Sequence, residues 1–312
     1  MFLYLFLFIF QYKIIQTQKI SFDTIVCFGD SNTDYGNVYS LTNFTWPIVP
    51  PYYQGRFSDG PIWFEQLGVL NLINHAYGSA TTDNNVIMGY TGANSTILVP
   101  GVRQQIQVYR NRTDLTKINF HKTAYFIWAG ANDYFFNFSL SPHQVVESLM
   151  RCIKDLIGFG ALNIFVMNQP PIDKQPVSNY LNQSEQIKLL ITAHNQNLSS
   201  SMKLLTNMTS KIRLELLDLH SIIQNIIDNM SSNGINTMNP AWLINGTQII
   251  KLSNTTNNYL HLDNFHYTTR IHQMISDQIR SSIITSSSEH SVSINHMFFI
   301  FYFLNFFFNT KF

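Results

Sequence analysis

The chain has 312 residues, of which 45% are hydrophobic, so it can bury a substantial core within one domain. Its 19 basic and 18 acidic residues leave a formal net charge of +1, and no basic block occurs along the sequence. This balance excludes the electrostatic footprint of a nucleic-acid-binding protein, and we expect that bulk charge does not select the substrate.

The first residues resemble a secretory signal. Residues 2–10 form an apolar run that is followed by Gln11, Tyr12 and Lys13. The run is shorter than the ~20 residues needed to cross a bilayer. It fits the core of a signal peptide, although neither a preceding Lys or Arg nor an A-x-A site is present. We therefore predict a signal peptide over residues 1–19 and a secreted or cell-surface (extracellular) protein.

Apolar runs alternate with helical patterns between residues 20 and 285, without an internal repeat or a long linker. Five strands are predicted, at residues 24–28, 72–77, 124–128, 163–167 and 213–219. Helices are predicted near residues 61–70 and over residues 142–158, 184–208 and 268–284. This alternation predicts an α/β domain over residues 20–285, a three-layer α/β/α sandwich with a five-stranded parallel sheet.

The sequence contains two cysteines. Cys27 falls in a predicted buried strand and Cys152 at an apolar position of a predicted helix. A single disulfide is the alternative in a secreted protein, since spacing does not determine pairing. The positions favour two buried thiols.

Three candidate chemical residues follow the first three predicted strands. Ser31 lies on the turn after the first strand, where its hydroxyl is exposed and its N–H can face a developing oxyanion, or where it caps a helix. Gly78 ends the second strand and permits close approach of a ligand, or is a plain turn glycine. Asn132 follows the third strand and offers an amide donor, or bonds its own turn.

Asp263 and His266 stand near the end of the chain. Their three-residue step can place carboxylate and imidazole on one side of a turn. Asp263 would then accept from one ring nitrogen and leave the other free to take a proton from a serine. An isolated D-x-x-H is common, but ligands of such sheets lie beyond the carboxyl ends of the strands. We therefore expect the candidate residues to cluster there.

Taken together, Ser31, Gly78, Asn132 and the Asp263–His266 pair resemble, in this order, the four sequence blocks of the GDSL/SGNH hydrolase family. Residues 28–37, Phe-Gly-Asp-Ser-Asn-Thr-Asp-Tyr-Gly-Asn, look like its first block. Residues 53–61 are similar to the following segment of its plant, fungal and bacterial lipase-esterase members. The resemblance runs from about residue 24 to residue 280.

Two positions depart from the family pattern. Asn32 stands where a Leu usually follows the nucleophile, a change that is not expected to touch the reacting atoms. Gly78-Ser79-Ala80 replaces a common Gly-Gly-Ala, which alters the expected loop geometry. Neither departure removes a catalytic group.

The resemblance implies an SGNH hydrolase fold of the flavodoxin-like type and hydrolysis of carboxylic esters, either lipid acyl esters or acetylated carbohydrate. It implies Ser31 as nucleophile, His266 as base and Asp263 as its orienting carboxylate. The backbone N–H groups of Ser31 and Gly78 and the Asn132 side chain would form the oxyanion hole. No metal or cofactor is expected.

The other sequence patterns agree with this assignment. No HExxH, CxxC or carboxylate cluster indicates a metal site, no GxGxxG or Walker sequence indicates a nucleotide, and the G-x-S-x-G elbow is absent. Aromatic residues crowd the loop at residues 44–53, where they either line a cleft for an acyl chain or sugar or pack onto the core. The alternatives to an esterase are a catalytically silent surface glycoprotein that binds lipid or carbohydrate, and an acyltransferase using the same site.

The C-terminus resembles a glycolipid-anchor (GPI) signal. Residues 286–288 are serines, residues 289–296 form a mostly polar spacer, and residues 297–308 are apolar apart from Asn305. An apolar tail without function is the alternative to membrane attachment through a lipid anchor. Ten N-x-[ST] sequons favour a secreted glycoprotein, although about half are expected by chance: Asn43, Asn94, Asn111, Asn137, Asn182, Asn197, Asn207, Asn229, Asn245 and Asn254.

Overall fold

The computed structural model describes residues 22–289. The predicted signal peptide over residues 1–19 lies outside this range, and so does the predicted C-terminal anchor signal over residues 286–312 apart from residues 286–289. Both stay predictions. Residues Phe22–Ser282 group into one compact unit, whereas the second unit, Met1–Ser21 with Ile283–Phe312, falls mostly outside the described range. Within residues 22–289, no helix is long and apolar enough to span a membrane.

The strands of the described chain comprise a central set and several short pairs. They are β1 (Thr24–Gly29), β2 (Asn71–Asn74), β3 (Gly89–Thr91), β4 (Ile97–Val99), β5 (Thr123–Trp128), β6 (Asn163–Met167), β7 (Arg213–Leu217), β8 (Thr237–Pro240), β9 (Trp242–Asn245), β10 (Gln248–Lys251) and β11 (Tyr259–His261).

The helices are α1 (Asn37–Leu41), α2 (Val102–Arg112), α3 (Ala131–Phe136), α4 (Pro142–Phe159), α5 (Pro176–Tyr180), α6 (Ser184–Met208), α7 (Leu219–Asp228) and α8 (Thr269–Glu289). Short 3₁₀ turns lie at Glu65–Leu67, Leu115–Lys117 and Ile172–Lys174.

Five parallel strands form the central sheet in the order β2-β1-β5-β6-β7. Nearly all residues of β1 and all residues of β5 are buried. Because successive side chains point to opposite faces of a sheet, both faces of these strands are covered. Val26 and Ile127 pack with α2, α4 and α6 on one face, and Phe126 packs against Trp63 on the other. The predicted α/β fold with a five-stranded parallel sheet is confirmed.

The helix predicted near residues 61–70 is wrong, because the chain there forms only the 3₁₀ turn Glu65–Leu67. Ile62, Trp63 and Phe64 are consecutive and all fully buried, which a helix with one apolar face cannot achieve. Gly68 then ends the turn with a φ of 79°. The apolar spacing in this segment comes from an irregular chain buried on several sides.

Other element ends differ from the prediction for local reasons. Helix α4 continues through the predicted stop at Gly158 and ends at Phe159, after which Gly160, with a φ of 105°, forms the left-handed cap. The fifth strand ends at Leu217 because the Asp218 side chain accepts from Ser221 N–H and starts α7, a helix that was not predicted.

The two cysteines are free and buried, as predicted. Cys27 lies in β1 and Cys152 in α4. Burial raises the pKa of both thiols well above the ordinary value, so neither is an activated nucleophile.

Two antiparallel hairpins stand next to the loops that follow the central strands. Strands β3 and β4 form the first, and β9 and β10 form the second. Their tips approach each other, since a Cβ added at Gly246 would lie 3.4 Å from the carbonyl oxygen of Ala93. Both tips line the cavity described below.

Candidate active site

The structure brings the start and the end of the sequence together at one side chain pair. Ser31 follows β1, and its Oγ lies 2.9 Å from Nε2 of His266, which is 235 positions later in the chain. Nδ1 of His266 lies 2.7 Å from Oδ2 of Asp263. Since a carboxylate can only accept, Nδ1 carries the proton, and Nε2 is left to accept from the Ser31 hydroxyl.

The segment from Asp263 to His266 holds its own side chains in place. Oδ1 of Asp263 accepts from the backbone N–H of Phe265 at 2.8 Å and of His266 at 2.7 Å. These bonds close a tight turn that presents the imidazole to the other carboxylate oxygen. The three-residue spacing between Asp263 and His266 therefore brings the two side chains together by means of a turn that the Asp263 side chain caps.

Burial by itself raises the pKa of the Asp263 carboxyl. The charge of His266 and hydrogen bonds from His266, Tyr52 and Phe265 outweigh this effect and hold the pKa below its ordinary value. Asp263 is thus a buried but ionised acceptor beside the ring. An ionised carboxylate in this position stabilises an imidazolium when His266 takes up a proton.

Ser31 lies in a loop that two buried carboxylates organise. Oδ1 of Asp30 accepts from Asn32 N–H at 3.0 Å, and the Asp30 carbonyl accepts from the N–H of Thr33 and of Asp34. Asp34 in turn accepts from the first turn of α1. Burial raises the pKa of both carboxyls to about 6.

Gly78 is placed differently from the expectation. Its N–H donates to Oδ2 of Asp34 at 2.8 Å, and Gly78 is absent from the lining of the cavity at Ser31. A Cβ at Gly78 would lie 2.3 Å from the ring of Phe57, and that ring lies 5.1 Å from the His266 ring between centroids. The glycine therefore allows Phe57 to pack beside the histidine, and the next residue, Ser79, lines the cavity.

Asn132 lies in the first turn of α3 and lines the same cavity as Ser31 and His266. Its Nδ2 donates one hydrogen to the Ala80 carbonyl at 3.0 Å. A primary amide carries two hydrogens. The second hydrogen of Nδ2 is therefore left to donate to another acceptor. The bond to Ala80 fixes the orientation of the amide, and the expected role of Asn132 as an oxyanion donor stays a prediction.

Asp133 joins the loops after β2 and β5. It accepts from the backbone N–H of Thr82 at 3.0 Å and from the Thr82 hydroxyl. Burial raises its pKa to about 7, although the Thr82 bonds oppose this rise. The residue was not among the predicted site residues, because its partner lies 51 positions away.

The cavity has a volume of about 440 Å³, and both polar and aromatic side chains line it. Trp46 and Tyr52, from the aromatic loop, both line it. Tyr52 also packs into a buried cluster, so this loop both lines the cavity and packs onto the core. Phe44, in contrast, is 67% exposed.

Three further histidines are buried away from the cavity: His194, His261 and His272. Burial lowers their pKa values to about 3, 4 and 3 respectively. They are therefore neutral in the folded protein at neutral pH. Within residues 22–289, no group of three or more His, Cys, Asp or Glu side chains is arranged to hold a metal ion.

The sequence is similar to several known proteins. It is 30% identical to a phosphatidylcholine-sterol acyltransferase of Aeromonas hydrophila over 185 residues, 56% of this chain and 53% of that protein. It is 25% identical to GDSL esterase/lipase 2 of Arabidopsis thaliana, over 81% of this chain and 84% of that protein. A solved lipolytic protein of the G-D-S-L family from Veillonella parvula superposes with a TM-score of 0.47 at 13% identity, over 83% of this chain and 96% of that one.

This chain spans between about a half and two thirds of the lengths of three curated bacterial relatives that it matches, the acyltransferase among them. The family model of the GDSL-like lipases and acylhydrolases, however, matches residues 25–279, which include every candidate site residue. The chain belongs to the GDSL-like lipase/acylhydrolase family.

Proposed function

We propose that this protein hydrolyses carboxylic esters through a Ser31–His266–Asp263 triad. The observation that carries the proposal is the continuous hydrogen-bond chain from the Ser31 hydroxyl through His266 to Asp263 at the floor of a cavity. A serine hydroxyl is a weak nucleophile until a base lies within hydrogen-bond reach, and Nε2 meets that condition. Membership of a family of lipases and acylhydrolases supports the same reaction.

In the first half-reaction, Ser31 Oγ attacks the ester carbonyl carbon while its proton moves to Nε2 of His266. The carbonyl oxygen becomes an oxyanion, which the Ser31 N–H and the Asn132 amide stabilise. The tetrahedral intermediate collapses, the bond to the alcohol oxygen breaks, and His266 returns the proton to the leaving alcohol. Asp263 stabilises the transient imidazolium.

In the second half-reaction, a water molecule attacks the acyl–Ser31 carbonyl while His266 accepts its proton. The new intermediate expels Ser31 Oγ, which regains a proton from His266, and the carboxylic acid is released. Both halves use the same donors and the same base. No cofactor takes part in any of these steps.

The cavity wall supports an ester with an apolar acyl group. Phe135, Phe136, Ile172 and Phe265 line it, and no Lys or Arg belongs to the lining in the part of the chain that the structure describes. Such a wall lowers the free energy of a buried acyl chain by about 0.8 kcal/mol per CH₂. We therefore place lipid acyl esters ahead of acetylated carbohydrate as the substrate.

Activated p-nitrophenyl esters of increasing acyl length test this proposal. We expect turnover by the wild type and a kcat lower by on the order of 10⁴–10⁶ in Ser31→Ala. An organophosphate should label Ser31 stoichiometrically, which a silent binding protein would not permit. Equal hydrolysis by the two proteins would refute the triad, and a preference for acetyl over longer esters would refute the ranking of substrates.

Acyl transfer is the second candidate, because one relative is named as a phosphatidylcholine-sterol acyltransferase. The acyl-Ser31 intermediate is the same, and an acceptor alcohol replaces water as the second nucleophile. Product analysis with a competing alcohol distinguishes the two: ester product that rises with alcohol concentration at the expense of free acid indicates transfer.

A further inference from the structure

We propose that Asn94 and Asn245 carry N-linked oligosaccharides, and that these two glycans exclude polymers and packed lipid surfaces from the mouth of the cavity. The inference rests on the proposed ester hydrolysis at Ser31 and on the predicted secretory route. It narrows the substrate class to esters that reach the cavity as single molecules.

Two of the ten sequons occupy the tips of the two hairpins beside the cavity. Asn94 begins an Asn-Ser-Thr sequon in the loop between β3 and β4. Asn245 is the last residue of β9 and begins an Asn-Gly-Thr sequon in the turn to β10. An acceptor sequon belongs on a surface loop of a secreted protein, and the hairpin tips satisfy the structural part of this condition.

Both acceptor side chains are free to react. Asn94 and Asn245 are exposed, and within residues 22–289 neither side-chain amide has a hydrogen-bond partner. The sequon at Asn229 differs, since its Nδ2 donates to the Asn225 carbonyl at 2.9 Å. Modification at the hairpin tips therefore breaks no side-chain hydrogen bond of the folded protein.

The modification is a group transfer from a polyprenyl diphosphate-linked oligosaccharide. The Asn side-chain nitrogen forms a bond to the anomeric carbon of the first sugar and loses one proton to a base of the transferase. The bond from that carbon to the diphosphate oxygen breaks, and the polyprenyl diphosphate leaves. No atom is oxidised or reduced in this step.

The two acceptor residues flank the point at which the hairpin tips meet. A Cβ added at Gly246 would lie 3.4 Å from the carbonyl oxygen of Ala93. Asn245 precedes Gly246 and Asn94 follows Ala93 in the sequence. Asn245, Gly246 and Ala93 all line the cavity that contains Ser31. Glycans on both residues would therefore stand together at the rim of this cavity.

Exposed aromatic rings lie at the same cavity. Phe136 and Phe265 line it and are 37% and 42% exposed. Exposed apolar surface of this kind favours contact with a lipid surface or another apolar partner. Two bulky, hydrated glycans at the rim would prevent a flat surface or a polymer from reaching these rings, whereas a single ester molecule could still enter.

Substitution of the sequon threonines tests the modification while both asparagines stay in place. The full chain is secreted from a eukaryotic host behind a leader of that host. Thr96→Ala/Thr247→Ala removes both sequons, and Thr96→Ser/Thr247→Ser is the matched control that keeps them. In the part of the chain that the structure describes, neither threonine belongs to the cavity lining.

Mass spectrometry after treatment with a peptide N-glycosidase, which converts each glycosylated Asn to Asp, identifies the modified residues. We expect modification at Asn94 and Asn245 in the wild type and in the serine variant, and at neither residue in the alanine variant. An unmodified Asn94 or Asn245 in the wild type would overturn the inference.

The rate at which a fluorophosphonate labels Ser31 measures access to the cavity. The free reagent should label the serine and alanine variants at the same rate, because it enters as a single small molecule. The same reagent coupled to dextran should label the alanine variant about tenfold faster than the serine variant. Equal rates with the dextran-coupled reagent would overturn the inference. Failure of the free reagent to label Ser31 would refute the proposed function instead.

Asn207→Gln controls for the loss of a glycan elsewhere on the surface. Its sequon lies at the end of α6, just before β7 begins, and therefore near the amino-terminal edge of the sheet. We expect this variant to react with the dextran-coupled reagent at the wild-type rate. An increase equal to that of the alanine variant would show that access does not depend on the hairpin tips, and would also overturn the inference.

Discussion

The hydroxyl of Tyr52 donates to Oδ2 of Asp263, the same carboxylate oxygen that faces His266 Nδ1. Burial and the Asp263 charge raise the pKa of Tyr52 well above its ordinary value, so the hydroxyl stays protonated and acts as a donor. Tyr52 is 3% exposed and packs edge-on to the His266 ring. It therefore positions the carboxylate that faces His266 Nδ1, and His266 is the base of the proposed mechanism.

Replacing Tyr52 by Phe should lower kcat about tenfold and leave KM unchanged, because a hydrogen bond to a buried charge is lost. Steady-state kinetics on an activated ester measures the effect. Tyr53→Phe is the matched control: Tyr53 is 39% exposed and does not belong to the cavity lining. Equal kcat values for the two variants would remove Tyr52 from its positioning role.

Asn132→Ala should lower kcat by about 10²–10³, because it removes the side-chain donor to the oxyanion. The fold should persist, since Asn132 is in the first turn of the short helix α3 and contributes one bond, to the Ala80 carbonyl. Asn71→Ala is the control. Asn71 bonds Thr24 at the opposite, amino-terminal end of the sheet, and its loss should leave kcat unaltered. A wild-type kcat in Asn132→Ala would exclude the oxyanion role.

Residues at strand ends were predictable from the sequence. Ser31, Asn132 and the Asp263–His266 pair lie together because parallel strands end at one edge of a sheet and the last turn returns to it. Their order along the chain was enough to indicate the family. The helix predicted near residues 61–70 was wrong because the apolar residues of this segment are buried in an irregular chain, and such packing leaves no periodic pattern in the sequence.

Contacts that depend on distant side chains were not predictable. Tyr52 and Asp263 are 211 positions apart, and no spacing rule connects a tyrosine in an aromatic loop to a particular carboxylate. The direction of the Gly78 N–H depends on Asp34, 44 positions earlier. A glycine in a turn signals backbone freedom but not which group accepts from its N–H, so the bond from Gly78 to Asp34 could only be found in the three-dimensional structure.

The buried carboxylate of Asp133 predicts a specific pH dependence of stability. Its pKa is about 7 in the folded protein and near the ordinary value of ~3.9 when unfolded. Because the unfolded chain ionises first, the contribution of Asp133 to stability is full below about pH 4 and is lost as pH rises toward 7. Asp133→Asn, which cannot ionise, should lack this contribution to the pH dependence.

Urea unfolding of the wild type and of Asp133→Asn between pH 5 and pH 8 measures the contribution of Asp133 to stability. The free energy of unfolding of Asp133→Asn minus that of the wild type should become more positive as pH rises to about 7, and then level off. Comparing the two proteins cancels the opposite contribution of His194, His261 and His272, whose lowered pKa values destabilise the fold at acid pH. A difference that does not vary with pH would show that Asp133 does not titrate in this range.

Two glycines offer a matched pair of alanine substitutions with opposite expected effects. At Gly78, a Cβ would lie 2.3 Å from the Phe57 ring, which packs against His266. Gly78→Ala should therefore destabilise the fold by about 1–3 kcal/mol through overpacking and lower kcat through displacement of Phe57. At Gly158, inside α4, a Cβ would meet nothing within 4 Å. Gly158→Ala should raise stability by about 0.5–1 kcal/mol because alanine favours a helix interior, with kcat unchanged.

Thermal unfolding and ester turnover of the two alanine variants separate packing from chemistry. A stable, fully active Gly78→Ala would mean that the Phe57 ring can yield without disturbing His266. That result would refute the proposed effect of Gly78 on His266. The result for Gly158, in contrast, reports only on helix propensity in α4. Because the two substitutions add the same methyl group, a loss of kcat in Gly78→Ala alone would place the effect at the turn that contacts Phe57 and Asp34.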